Sequence, residues 1–180
     1  MWGPSPLFFS NAKPLLQRFL NIDGDAGTPA YRFTGNKNEL EFLKYDVMNL
    51  AYFLPNRRRA AIIGVGGGRD MMSASVFGIR DITGIEINPI FVKLLTQEPG
   101  FVDFTNLNKL EGAKFVVDEG RSWFARPNNA FDVIQMSLID TWAATGAGAF
   151  SLSENGLYTV QGWKTFLNRL TPQGVFTVSR

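Results

Sequence analysis

The chain has 180 residues, 45% of them hydrophobic and 19% charged, with no cysteine, no histidine and a formal net charge of +2. That composition is globular and sufficient for one α/β domain with a real core, but not comfortably for two. It excludes disulfides, thiol nucleophiles, nearly all zinc chemistry and an imidazole base, and the charge is too small to call for nucleic acid.

Residues 1–36 are rich in Pro, Gly, Asn and Asp and read as an irregular N-terminal segment, with at most a short helix near 13–21 and a short strand at 31–35. The start lacks the basic residues and apolar core of a signal peptide. No run approaches the ~20 apolar residues that span a bilayer. With no cysteine to protect, the chain reads as soluble and cytoplasmic. Leu40, Phe42, Leu43, Val47, Leu50, Ala51 and Leu54 form a helical stripe over 38–54, stopped by Pro55. The arginines at 57–59 read as a solvated loop.

Residues 37–180 read as one domain, and from residue 60 strands and helices alternate. Strands are predicted at 60–65, 81–86, 114–118, 130–136 and 174–179, and helices at 69–77, 89–97, 120–125 and 155–170. Asn88 before Pro89 is a helix start, because proline at the first turn forfeits no needed N–H. Trp163, Phe166, Leu167 and Leu170 share a helical spacing and read as core. The alternation implies an α/β fold, a parallel sheet with helices on both faces.

Such sheets bind ligands at the carboxyl ends of their strands. There "IIGVGGGRD" places Gly64, Gly66, Gly67 and Gly68 between a strand and a helix. A dinucleotide fingerprint needs G-x-G-x-x-G, but its third glycine would fall on Arg69, or on Met71 if the count starts at Gly66. The spacing observed is G-x-G-x-G, which favours S-adenosylmethionine. The second strand ends in Glu86, followed by Ile87, where a carboxylate can accept from both hydroxyls of a ribose; a solvent-facing strand-end acid is the plain alternative. The third ends in Asp118, Glu119 and Gly120, where an acid can accept from an adenine amino group. The fourth runs through Ser137 to Asp140, Thr141 and Trp142, then into a long small-residue loop of the kind that often carries function. In that loop Tyr158 is a weaker candidate for acceptor binding; packing is its alternative.

The ordered set IIGVGGG, GIEINP, DEGR, FDVIQMSLIDTW, ENGLYT and LTPQGV resembles class I S-adenosylmethionine methyltransferases. More narrowly, it is similar to their spermidine-synthase-like branch, bacterial members of which are in some cases fused to membrane-spanning regions. The resemblance covers about residues 40–180. It implies a Rossmann-like fold that binds S-adenosylmethionine or its decarboxylated form. Gly64, Gly66, Gly67 and Gly68 would lie at the amino-acid and ribose moieties, Glu86 and Ile87 at the ribose, and Asp118, Glu119 and Gly120 near adenine. Ser137 would line the cofactor and reacting centre, Asp140 would orient or deprotonate a small-molecule acceptor such as an amine, and Trp142 and Tyr158 would bind it. No metal is implied.

Polyamine synthases carry acids at the positions of Ser137 and Gly67. Their replacement points from aminopropyl transfer toward a methyl-type transferase, with a non-catalytic cofactor-binding or interaction module as a third reading. That fold also continues beyond its fifth strand, so a chain ending at Arg180 is expected to be C-terminally incomplete, with a sheet edge open to pairing in a homo-oligomer.

Overall fold

The computed structural model describes residues 3–11, 16–22, 26–127, 129–139 and 156–179. A short helix, α1 (Pro6–Asn11), precedes an antiparallel hairpin of β1 (Gln17–Ile22) and β2 (Ala26–Tyr31). This corrects the short helix expected near 13–21, and the strand expected at 31–35 ends instead at Tyr31. The helical stripe over 38–54 also differs from expectation, being two 3-10 helices, Lys37–Tyr45 and Val47–Phe53. Asp46 divides them. Its backbone is extended and bridges Pro4, while its side chain caps the second helix by accepting from the Met48 N–H at 3.0 Å.

The remaining elements alternate as predicted, apart from one short helix at 102–105 that is not expected from the sequence. They are β3 (Arg59–Ile63), α2 (Arg69–Val76), β4 (Asp81–Glu86), α3 (Pro89–Thr96), α4 (Val102–Thr105), β5 (Ala113–Val117), α5 (Gly120–Ala125), β6 (Phe131–Ser137), α6 (Val160–Leu167) and β7 (Leu170–Ser179). Asn88 caps α3 as expected, accepting from the Ile90 N–H at 2.9 Å. The helix expected at 155–170 is a 3-10 turn, Gly156–Tyr158, followed by α6, which Thr159 caps through the Gly162 N–H. Within its expected core stripe Phe166 is buried, whereas Trp163 and Leu167 are largely exposed and Leu170 opens β7.

The five strands β3 to β7 form a parallel sheet in the order β5-β4-β3-β6-β7. Alternation along each strand feeds two cores. Ala60, Ile62, Ile82 and Val133 face the 3-10 helices, α2 and the N-terminal residues Phe8, Tyr31 and Phe33. Ala61, Ile63, Ile85, Ile134 and Met136 face Phe124 of α5 and Phe166 of α6. Strand order reverses between β3 and β6, and such a reversal opens a crevice at the carboxyl ends of the two strands.

The opposite end of the sheet is closed by the arginine cluster. Arg59 pairs with Asp81 at 2.7 Å, and Lys114 joins that carboxylate at 3.0 Å. The N–H groups of Arg58 and Arg59 donate to Asp132, and Arg57 donates to the Gln173 carbonyl. These arginines tie β3 to β4, β6 and β7, far from the crevice. Among the described residues no helix is long and apolar enough to cross a membrane.

Candidate functional site

Four glycines leave β3 and enter α2, and their N–H groups are all committed. Gly64 donates to the Ile85 carbonyl at 2.9 Å, and Gly68 to the Val65 carbonyl at 2.8 Å. Gly66 donates to Glu86 Oε2 at 3.0 Å, and Gly67 to Thr28 Oγ1 at 3.2 Å. Two of the glycines are enforced by different means. Gly68 caps α2 at φ +86, and a Cβ there would lie 2.1 Å from Leu107 Cδ1. Gly67 yields to the hairpin instead, since its Cβ would lie 2.2 Å from the Pro29 carbonyl oxygen.

Glu86, at the end of β4, is buried with 6% exposure. Besides the Gly66 N–H, it accepts the Asn88 N–H on Oε1 at 2.9 Å. It therefore holds the glycine loop against the β4–α3 turn. An ionised carboxylate has about four lone-pair sites, so roughly half its acceptor capacity remains for a ligand. Around it stand exposed apolar side chains, Ile87 beyond β4, Ile90 in the first turn of α3 and Val117 at the end of β5, paired in register with Glu86. All three are exposed at the strand ends where Glu86 lies.

Asp118 and Glu119 reach the same edge, mostly in service of their own backbone. Asp118 accepts the Glu119 N–H and pairs with Arg126. Glu119 caps α5, accepting from the Arg121 and Ser122 N–H groups at 2.8 Å each and from the Ser122 hydroxyl at 2.7 Å. Partial burial would raise its pKa, but the Ser122 and backbone hydrogen bonds outweigh it and hold the carboxyl below its ordinary value. Gly120 leaves room for Ile63 and Leu157, since its Cβ would lie 2.9 Å from Ile63 Cγ2.

Across the crevice, Ile63 pairs with Met136, so the next residues, Gly64 and Ser137, adjoin across the strand reversal. Asp140 and Trp142 lie outside the described residues. Tyr158 is half-buried against the second core, next to Leu157, which packs beside Gly120. The structure thus gathers Gly64, Gly66, Gly67, Gly68, Glu86, Ile87, Asp118, Glu119, Gly120 and Ser137 at one edge, with Tyr158 in the second core beside it.

Four participants are not predicted from the sequence. Thr28 has no local signal. Asp46 and Arg69 pack behind the loop, with Arg69 Nη1 3.5 Å from Asp46 Oδ2 and Nε 3.5 Å from Asp70 Oδ1. Burial pushes the Asp46 carboxyl up, and Arg69 only partly offsets it. Gln135 did carry a signal, as a lone amide inside the apolar run FDVIQM.

No family model and no curated sequence matches the chain. Solved structures do share its fold. Spermidine synthase from Thermotoga maritima aligns with a TM-score of 0.56 and 16% identity, over 98% of this chain and 54% of its own. A spermidine synthase in complex with the transition-state analogue AdoDATO gives 0.54 and 15%, over 98% and 54%. Human methyltransferase-like protein 13 in complex with SAH gives 0.50 and 19%, over 76% and 63%. The chain has the Rossmann-like fold of these methyltransferases and spermidine synthases. It spans about half the length of the spermidine synthases it matches.

Proposed function

We propose that this chain is the cofactor-binding fold of an S-adenosylmethionine-dependent transferase, methyl-type in preference to aminopropyl. One observation carries the cofactor: the four glycine N–H groups are all donated inward. A phosphate-binding loop depends on such groups being free to face an anion. A loop that offers bare backbone next to a buried carboxylate with spare lone pairs suits a phosphate-free adenosyl ligand and serves a dinucleotide poorly.

The residues at this edge fit that ligand. Glu86 would accept from the ribose hydroxyls, and Ile87, Ile90 and Val117 would flank the base. Gly64 and Ser137 would adjoin the aminoacyl end. When bound, the sulfonium supplies an electrophilic alkyl group whose positive charge disappears on transfer, so the protein's task is mainly alignment. Asp140 is the residue proposed to orient a small-molecule acceptor or take its proton, with Trp142 walling the pocket and contacting a cation through its ring face. Aminopropyl transfer is the second reading, kept by the 98% coverage of this chain in alignments with spermidine synthases and opposed by Ser137 and Gly67.

Isothermal titration of the chain with S-adenosylmethionine, its decarboxylated form, S-adenosylhomocysteine and NAD tests this proposal. Micromolar binding of an adenosyl sulfonium or its thioether product, with NAD inert, is expected. Binding of NAD, or no binding to a folded sample, overturns it; the second result leaves an interaction module.

A further inference from the structure

Gln135 is fully buried in β6, and its amide orientation is fixed by its neighbours. One end of the amide lies 3.3 Å from the Met48 carbonyl, which can only accept, so that end is Nε2. The other end, Oε1, then receives the Tyr52 hydroxyl at 2.6 Å. Burial, reinforced by the charge of Asp70, pushes the Tyr52 pKa well up and keeps that hydroxyl a donor. Nε2 also lies 3.0 Å from Ser137 Oγ. An amide nitrogen cannot accept, so Ser137 accepts in this contact and its own proton must point elsewhere. No acceptor for it occurs among the described residues. Ser137 is half-buried and adjoins Gly64 at the strand reversal.

We infer that Tyr52 and Gln135 are positioning residues that hold Ser137 as a hydrogen-bond donor toward the crevice, so that the site selects a ligand end bearing an acceptor, a carboxylate, over one bearing only an ammonium. This rests on the cofactor reading above, where it means a preference for S-adenosylmethionine over the decarboxylated form. Neither Tyr52 nor Gln135 touches the ligand; they act through the serine.

The test is the ratio of dissociation constants for S-adenosylmethionine and decarboxylated S-adenosylmethionine, measured by isothermal titration. The unaltered chain is expected to favour the carboxylated ligand about tenfold, the worth of one hydrogen bond to a charged group. Ser137→Ala should bring the ratio to about one, and Ser137→Asp should reverse it. The paired variant Tyr52→Phe with Gln135→Met replaces both buried partners by apolar groups of similar shape, a change that can be nearly neutral for folding. It keeps the serine, yet should lose most of the preference, an effect that a serine acting alone cannot produce. A ratio unchanged in Ser137→Ala overturns the inference while the cofactor reading stands. A ratio lost in Ser137→Ala but kept in the paired variant overturns the roles of Tyr52 and Gln135. Should the paired variant fail to fold by circular dichroism, the two Ser137 variants still decide the donor assignment. Silence of the unaltered chain toward both ligands overturns the cofactor reading and this inference together.

Discussion

Glu86 illustrates how a residue chosen for binding can first be needed for shape. Both its oxygens take backbone N–H groups, from Gly66 and Asn88. Glu86→Gln would turn an NH2 group toward one of those donors and leave a buried N–H without a partner. A loss of about 1–3 kcal/mol is expected in denaturant titration of the ligand-free chain. Weak binding by a Glu86 variant therefore does not establish a ribose contact; a 2′-deoxy ligand on the unaltered chain, expected to bind about tenfold more weakly, does. A second residue-scale prediction concerns acid. Burial would raise the pKa of Asp132, but the Arg58 N–H, the Thr171 hydroxyl and the Arg59 N–H outweigh it, and the carboxyl lies below its ordinary value. A carboxylate with a lowered folded-state pKa adds stability above the unfolded value, about 3.9, and that stability is lost as pH falls through the folded value. Asp132→Asn should lower the thermal midpoint at neutral pH and flatten its fall below about pH 4. Equal slopes in the two proteins would contradict this.

Among elements, legibility followed the range of the interactions that shape them. The parallel strands were readable because each is a short apolar run between turn residues, and β4 and α5 begin and end where the sequence places them. The 3-10 pair was not. Its apolar stripe has helical spacing, but the break at Asp46 depends on a bridge to Pro4 and on Arg69, neither of which is near in sequence. For the hairpin the sequence does hold a local signal, Asp23-Gly24 between two extended runs, which is hairpin-turn chemistry. At Gly67 the sequence points to a ligand, whereas the structure places the Pro29 carbonyl where a side chain would begin. Gly67→Ala should cost about 1–3 kcal/mol, since backbone rather than a flexible side chain must retreat. Hydrogen exchange should then speed up first in β1 and β2. If exchange there is unchanged, the hairpin does not rest on the loop.

On the scale of the whole molecule, the contact between hairpin and loop decides whether the N-terminal segment is an appendage or part of the fold. Residues 1–36 look separable in sequence, yet Phe8, Tyr31 and Phe33 lie in the same core as Ile62 and Ile82 of the sheet and Met71 of α2. Tyr31 is 3% exposed and meets Phe42 edge-on, with ring centroids 5.7 Å apart. Strand β6 contributes to both cores, Val133 to the first and Ile134 to the second, so stress on one face passes directly to the other. If the molecule unfolds as one unit, as chains of this size usually do, truncating Tyr31 must weaken β6 as much as the hairpin itself. Tyr31→Ala removes most of a buried aromatic side chain, a change expected to cost about 3 kcal/mol. In native-state hydrogen exchange, the most protected amides of β6 should lose protection by that same amount, although the substitution lies in a different sheet. Loss confined to β1 and β2, with β6 untouched, would instead define the hairpin as a separate cooperative unit.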